Sequence, residues 1–199
     1  MIRENCCALG VLTVPEGTLF ASFPGRKGGG NMAESILNGK SILAVDDEPD
    51  VLEVLEDEIL GYAPNCKIEK VTTYQEASKR LESQNYDVVV LDIMGVRGFD
   101  LLEQSVKRNF QTAMLTAHSL NPESLKRSIE MGAYAYLPKE KLGEIVPFLE
   151  DILESSDGST VWGRLMGKLE GYFTSRWGEL WKKSEEKFWK DFDNKTKIK

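Results

Sequence analysis

The stretch Asp87-Val88-Val89-Val90-Leu91-Asp92-Ile93-Met94-Gly95 decides the fold that we predict for this chain of 199 residues. Its run of four branched aliphatic residues is typical of a strand buried on both faces, as in a parallel sheet covered by helices. We expect the strand to end at Asp92 and the chain to turn at Gly95. Reactive groups in open parallel sheets lie beyond the carboxyl ends of strands, which makes Asp92 a candidate reactive carboxylate. The alternative is that Asp92 only caps the next helix.

The same pattern of a short apolar run followed by an amphipathic segment occurs five times between residues 40 and 155. Strands are predicted at residues 41–45, 67–71, 87–92, 112–116 and 133–137. Helices are predicted from Pro49 to an end at Gly61, over 74–83, through 101–106, from Pro122 to an end at Gly132, and over 142–153. Five alternations of strand and helix predict an α/β fold with a parallel sheet and helices on both faces.

Polar residues follow the predicted strands at the points where these end: Asp46 and Asp47, Asp92, Thr116 and Lys139. If the strands are neighbours, these groups meet at one edge of the sheet. Grouped carboxylates repel one another unless a cation joins them, and Mg²⁺ is a cation that prefers oxygen ligands. A carboxylate can also act as a nucleophile and form an acyl phosphate, which a lysine and a hydroxyl group can stabilise.

From about Lys40 to Ser155 the sequence resembles the response-regulator receiver family, which has the CheY-like fold. The resemblance rests on four motifs in order: Asp46-Asp47, LDIM at residues 91–94, Thr116-Ala117, and Tyr136-Leu137-Pro138-Lys139. It implies a flavodoxin-like, doubly wound sheet of five parallel strands in the order 2-1-3-4-5. It also implies phosphorelay signalling in a two-component system, with no enzymatic activity beyond magnesium-dependent self-phosphorylation and dephosphorylation.

The resemblance also implies roles for individual residues. Asp92 would accept a phosphoryl group from a sensor histidine kinase. Asp46, Asp47, Asp92 and the backbone carbonyl of Met94 would hold Mg²⁺.

Residues of the fourth and fifth strands would respond to the phosphoryl group. Thr116, with its motif neighbour Ala117, would bond it, and Lys139 would pair with it. Tyr136 would be the switch aromatic residue and would turn inward as Thr116 moves.

Three features depart from the pattern of the family. Gly95-Val96 stands where a proline is usual, the interval from Asp92 to Thr116 is short, and Glu140 replaces the proline that usually follows the lysine. We therefore expect a trimmed third helix or exit loop, while every phosphotransfer group is retained. His118, the single histidine, has two interpretations: a residue that controls access of water to the site together with Met94, or an exposed loop residue.

Residues 1–35 are predicted to be a disordered leader, because prolines and glycines punctuate them without periodicity. Codons for Lys27-Gly28-Gly29 can contain a ribosome-binding sequence just before Met32. We therefore predict that Met32 is the true start; the alternative is a real N-terminal extension. Residues 38–155 form the predicted receiver domain. No apolar run is long enough to span a bilayer, and the chain is expected in the cytoplasm.

Residues 156–199 form a predicted helical tail of different composition. They contain all four tryptophans, and residues 159–199 carry a net charge of +4 against −12 for residues 32–158. One helical stripe is predicted from the 3.6-residue period. It contains Trp162, Leu165, Met166, Leu169, Phe173, Trp177 and Leu180, with Trp181, Phe188 and Phe192 at its edge.

Three glycines, Gly163, Gly167 and Gly171, are predicted to break the tail helix or to make its order depend on a partner. So much aromatic surface must be covered by the receiver, a second copy, a partner or a membrane surface. Interleaved glutamates favour protein over membrane, and no nucleic-acid partner is expected. A second hypothesis is an interaction protein whose tail carries the function and whose receiver acts as a dimerisation unit independent of phosphorylation.

Overall fold

The computed structural model describes residues 34–117, 121–155 and 158–196. The prediction of a leader and the interpretations of His118 concern residues outside these ranges. The strands are β1 (Ser41–Val45), β2 (Lys67–Val71), β3 (Val88–Asp92), β4 (Gln111–Thr116) and β5 (Ala135–Pro138). The helices are α1 (Pro49–Tyr62), α2 (Tyr74–Ser83), α3 (Gly98–Lys107), α4 (Pro122–Glu130), α5 (Ile145–Glu154), α6 (Gly158–Trp177) and α7 (Glu186–Thr196). Short 3₁₀ segments span Lys139–Glu144 and Lys183–Glu185.

The five strands form one parallel sheet in the order β2-β1-β3-β4-β5. All five residues of β3 are buried, as its aliphatic sequence predicts for a central strand. In the pairing register Asp92 lies beside Leu115, so β3 and β4 end nearly level. The predicted fold class and strand order are confirmed.

Local sequence sets most helix boundaries. Pro49 and Pro122 begin α1 and α4, where a missing N–H costs least, and the side chains of Thr73 and Asn121 cap α2 and α4. Gly132 follows α4 with a φ of +90°, which favours glycine. The prediction for Gly61 is wrong, because α1 continues through it to Tyr62.

The structure also shifts the last strand and helix of the receiver. β5 begins at residue 135 rather than 133, because residues 131–134 are still used in the turn that leaves α4. The fifth helix begins at Ile145 rather than Leu142, after a 3₁₀ segment that is kinked at Lys141. Pro147 thereby lies in the first helical turn, where its missing N–H leaves no hydrogen bond unmade.

The tail helix α6 is continuous over 20 residues, so the predicted break at its glycines is wrong. Its buried face consists of Val161, Trp162, Leu165, Met166, Leu169 and Phe173, packed in the same core as the receiver. Each such side chain contributes about 1.5–3 kcal/mol on burial, whereas each glycine costs about 1 kcal/mol relative to alanine. Burial of six side chains therefore outweighs the cost of three glycines.

The chain leaves this helical stripe at Gly178, whose φ of +84° ends α6. Leu180 is consequently 70% exposed, contrary to its predicted place in the stripe. Trp181, Trp189 and Phe192 return to the core from the segments that follow. Among the described residues, no helix combines the length and apolar character that crossing a membrane requires.

Replacement of Trp162 by phenylalanine tests whether the tail is part of the stable fold. The Trp162 indole N–H donates to the buried carbonyl of Ala133 at 2.8 Å. Loss of this donor is expected to lower the free energy of unfolding by about 1–3 kcal/mol. Urea unfolding followed by far-UV circular dichroism measures the change. Leu180→Ala is the control, with an expected change within about 0.5 kcal/mol. Equal stability of the two variants would contradict an integrated tail.

Candidate functional site

The carboxyl edge of the sheet brings together polar groups from four strand ends. Asp46 follows β1, Asp92 ends β3, Thr116 ends β4 and Lys139 follows β5. Asp46, Asp92 and Thr116 are each at most 4% exposed. Their grouping follows from the topology, because parallel neighbours all end at the same edge of the sheet.

Lys139 is the electrostatic centre of this edge. Its Nζ lies 2.8 Å from Asp46 Oδ2, 3.1 Å from Asp92 Oδ1 and 2.9 Å from Glu48 Oε1. The Lys139 side chain is only 10% exposed. Buried charges are tolerated when they are paired, and one ammonium group here compensates two buried carboxylates and a third at the rim.

The loop after β3 holds the second oxygen of the Asp92 side chain. Backbone N–H groups of Met94 and Gly95 donate to Asp92 Oδ2 at 2.9 and 3.0 Å. Gly95 also passes so close to Asp47 that a Cβ atom at this position would overlap the Asp47 carboxylate. Glycine at residue 95 therefore fits the close approach of the loop to the acidic group.

Gly98 closes the same loop against the strand. Its N–H donates to the Ile93 carbonyl at 3.1 Å. A Cβ at Gly98 would overlap the carbonyl oxygen of Asp92 and lie 2.8 Å from the Ile93 Cα. Just before it, Arg97 adopts the left-handed conformation with a φ of 54°, and its guanidinium lies over the Tyr74 ring at 4.3 Å. The backbone at the end of β3 is thus fixed by tight packing.

The charges of the site shift two pKa values. Burial raises the pKa of Asp46 above its ordinary value and the negative charge of Asp92 adds to the rise, while hydrogen bonds from Lys139 and the Glu48 N–H oppose it. Burial acts to lower the pKa of Lys139, but its bonds to Asp46 and Glu48 and the charge of Asp92 raise it above its ordinary value. Lys139 therefore remains a cation at neutral pH.

Asp46, Asp47 and Asp92 form an acidic cluster that could hold a metal ion. One oxygen of each lies within 4.8 Å of the others, with Asp47 exposed and the other two buried. Three carboxylate oxygens with one side open to solvent fit Mg²⁺, which keeps several waters. The Met94 carbonyl accepts the Arg97 N–H at 3.4 Å, and its place among the ligands stays a prediction.

Thr116, Ala117 and Tyr136 lie on the β4 and β5 side of the site. Thr116 is the last residue of β4, and Ala117, half-buried, follows it. The Tyr136 side chain is fully buried within β5. This burial raises the pKa of Tyr136, while interactions with the Asn121 backbone and the Thr116 side chain act in the opposite direction. The phenol therefore stays protonated beside Thr116.

Sequence reasoning missed two residues that shape this site. Glu48 pairs with Lys139 across the edge of the sheet, and Gly98 permits the close return of the loop. Glu48 adjoins the acidic pair, and a third consecutive acid was a usable signal. Gly98 carried none, because its role depends on a close approach between two backbone segments.

A doubly wound parallel sheet with three carboxylates and a lysine at its carboxyl edge defines a flavodoxin-like domain with an acidic site. The family model described as the response regulator receiver domain matches residues 42–149. The chain belongs to this family, the receiver domains of two-component response regulators, and the resemblance stated from the sequence is confirmed.

Two curated relatives are plant proteins of much greater length. The two-component response regulator ARR18 of Arabidopsis thaliana is 37% identical over 108 residues, which are 51% of this chain and 16% of that protein. The two-component response regulator ORR24 of Oryza sativa subsp. indica is 31% identical over 122 residues, or 58% of this chain and 19% of that protein. The chain thus spans less than a fifth of the relatives that it matches.

Solved structures show the same fold. The receiver domain of NtrX from Brucella abortus is 26% identical with a TM-score of 0.51, covering 58% of this chain and 99% of that one. A response regulator from Thermotoga maritima is 18% identical with a TM-score of 0.52, covering 58% and 98%. The second likeness concerns the fold alone.

Replacement of Gly98 by alanine tests the tight packing at the end of β3. The added Cβ meets backbone atoms that cannot move aside, so we expect a loss of about 1–3 kcal/mol in the free energy of unfolding. Gly61→Ala is the matched control in α1, because its Cβ meets open space. That control should instead gain about 0.4–1 kcal/mol. Chemical denaturation gives both values, and a neutral Gly98→Ala would show that the loop relaxes.

Proposed function

We propose that this chain is a receiver that accepts a phosphoryl group on Asp92 from a histidine kinase. The observation that carries the proposal is the environment of the Asp92 carboxylate. It is buried, held by two backbone N–H groups through one oxygen, and 3.1 Å from the Lys139 ammonium through the other. A carboxylate fixed in this way beside two acidic neighbours and a cation supports nucleophilic attack on phosphorus.

The proposed reaction is transfer of a phosphoryl group between two side chains. A carboxylate oxygen of Asp92 forms a bond to the phosphorus of a phosphohistidine, and the bond from phosphorus to the imidazole nitrogen breaks. The electron pair of that bond leaves with the imidazole. The product is an acyl phosphate on Asp92, which water can later hydrolyse. The protein contributes position and charge, as expected for phosphoryl transfer.

Lys139, Thr116 and Ala117 are proposed to receive the new phosphoryl oxygens. The Lys139 ammonium already contacts Asp92, so it can exchange part of its carboxylate contacts for the phosphoryl charge. Thr116 ends the strand paired with β3 and carries a hydroxyl that can donate a hydrogen bond. Ala117, which follows, leaves room for the group. Tyr136 is the proposed switch aromatic residue.

Mg²⁺ is the proposed cofactor, held by Asp46, Asp47, Asp92 and the backbone carbonyl of Met94. When bound, it supplies positive charge that lets the carboxylates and the phosphoryl oxygens share one site. Asp47 is the exposed member of the cluster, and Asp46 is oriented by the Glu48 N–H at 3.0 Å. These residues thus offer a cation two fixed carboxylates and one that can adjust.

The proposed partners are a sensor histidine kinase upstream and a protein, or a second copy through the tail, downstream. Because this chain spans only part of its curated relatives, the pathway of a longer relative is not transferred to it.

Asp92→Asn tests the proposed phosphoacceptor. With acetyl phosphate and Mg²⁺, the wild-type protein should gain one labile phosphoryl group, visible by intact mass spectrometry, and the variant should gain none because the amide is a poor nucleophile. Asp87→Asn is the matched control, since Asp87 precedes the same strand at its opposite end and pairs with Lys40. It should label like the wild type. Equal labelling of Asp92→Asn would disprove the assignment.

A second experiment separates the metal ligands from the lysine. Asp47→Asn should weaken Mg²⁺ binding by about 10–100-fold, at least as much as loss of an outer-shell partner. Lys139→Ala should leave Mg²⁺ binding largely intact, because it removes a cation that competes for the same carboxylates, yet it should impair switching. Isothermal titration calorimetry measures the affinities. A large loss of affinity in Lys139→Ala would contradict this division of roles.

A further inference from the structure

The aromatic tail, residues 158–196, covers one defined face of the receiver. α6 lies along β5 and α5, and the segment after it reaches α4. The Trp162 indole is anchored to the Ala133 carbonyl before β5, while the Phe173 ring lies 6.3 Å from the Tyr136 ring within β5. α6 therefore follows β5 from its beginning toward the edge that carries the acidic site.

Ion pairs flank this apolar contact on both sides. Asp151 of α5 accepts from Arg164 at 3.1 Å and from Lys168 at 2.6 Å. On the other side, Lys126 of α4 lies 3.1 Å from Glu185, and its ammonium is 5.3 Å from the centre of the Phe188 ring. The tail thus matches the face in charge as well as in apolar surface, which fixes its register on the receiver.

A continuous set of ring contacts links Tyr136 to the rest of the tail. Phe173 contacts Tyr136, stacks on Trp177 at 4.7 Å and meets Trp181 at 6.2 Å. Trp181 in turn lies 4.8 Å from Trp189. Both Tyr136 and Phe173 are fully buried. Rotation of the Tyr136 ring toward solvent therefore requires displacement of Phe173 and, with it, of α6.

Tyr136 also belongs to the acidic site. It interacts with the Thr116 side chain, and it lies three residues before Lys139. One side chain thus contacts both the residue proposed to bond the phosphoryl group and the tail helix. This is the arrangement that thermodynamic linkage requires, namely two sites and one element whose orientation both can bias.

We propose that α6 is a built-in ligand of the α4–β5–α5 face and that its docking is coupled to the acidic site through the contact between Phe173 and Tyr136. The docked tail favours the buried orientation of Tyr136. Occupancy of the phosphoryl site draws Thr116 toward it and favours the same orientation. Docking and occupancy therefore strengthen each other by the same factor. This inference rests on the function proposed above for Asp92.

The coupling is measured with beryllofluoride, a non-covalent analogue of the phosphoryl group, in the full-length protein with Mg²⁺. Fluorine NMR gives the bound fraction without relying on the tail tryptophans. Phe173→Ala should bind beryllofluoride at least about 5-fold more weakly than wild type, the lower end of typical coupling factors. Leu180→Ala removes an exposed tail side chain of similar hydrophobicity and should bind as wild type does.

Two further measurements guard against a variant that does not fold. Phe173→Leu keeps an apolar side chain but loses the ring contact, and it should show a smaller loss of affinity in the same direction. In the wild type, saturating beryllofluoride should slow amide hydrogen exchange in α6 by the factor found for affinity, because linkage is reciprocal. Asp92→Asn under the same conditions should show no slowing.

The outcomes separate this inference from the proposed function. Equal affinity in wild type, Phe173→Leu and Phe173→Ala, or unchanged exchange in α6 at saturating beryllofluoride, overturns the coupling and leaves Asp92 as the acceptor. Absence of bound beryllofluoride in the wild type overturns the proposed function and the coupling with it. Weaker binding in the Phe173 variants, together with slower exchange in α6, supports the coupling.

Discussion

The compensation of buried negative charge by Lys139 is the constraint on which this structure depends. Asp46 and Asp92 lie nearly out of water at the end of adjacent strands, where two carboxylates alone would repel each other strongly. One ammonium group within about 3 Å of both allows β1, β3 and β5 to end at the same place. The fold thereby keeps a concentrated charge that is ready to bind a cation or an anion.

The central strands and their polar ends could be predicted from sequence because both follow from short-range chemistry. A run of aliphatic residues requires burial on two faces, and a carboxylate after it must lie at the edge of the sheet. Gly98 could not be predicted in this way. Its importance comes from the distance between two backbone segments, which no local pattern encodes. The same limit applies to Glu48, whose partner Lys139 is 91 residues away.

The tail shows why propensity alone misleads when tertiary contacts are extensive. Gly163, Gly167 and Gly171 weaken an isolated helix, and the prediction of a break was sound for such a helix. The opposite face of α6, however, buries six apolar side chains in the receiver core. Sequence analysis identified this stripe and the need to cover it, but amphipathicity does not name the surface that does so. The coordinates identify it as the chain's own α4–β5–α5 face.

The position of the tail has a consequence for any competitor in the cell. Only residues 155–157 separate the end of α5 from the beginning of α6, so the helix and its binding face are tethered on the same molecule. A short tether gives an effective local concentration on the order of millimolar, whatever the abundance of the protein. A helix from another protein, present at micromolar levels, faces that concentration as a handicap of about a thousandfold. Dilution does not relieve it, so selectivity for this face is set by covalent connection as much as by fit.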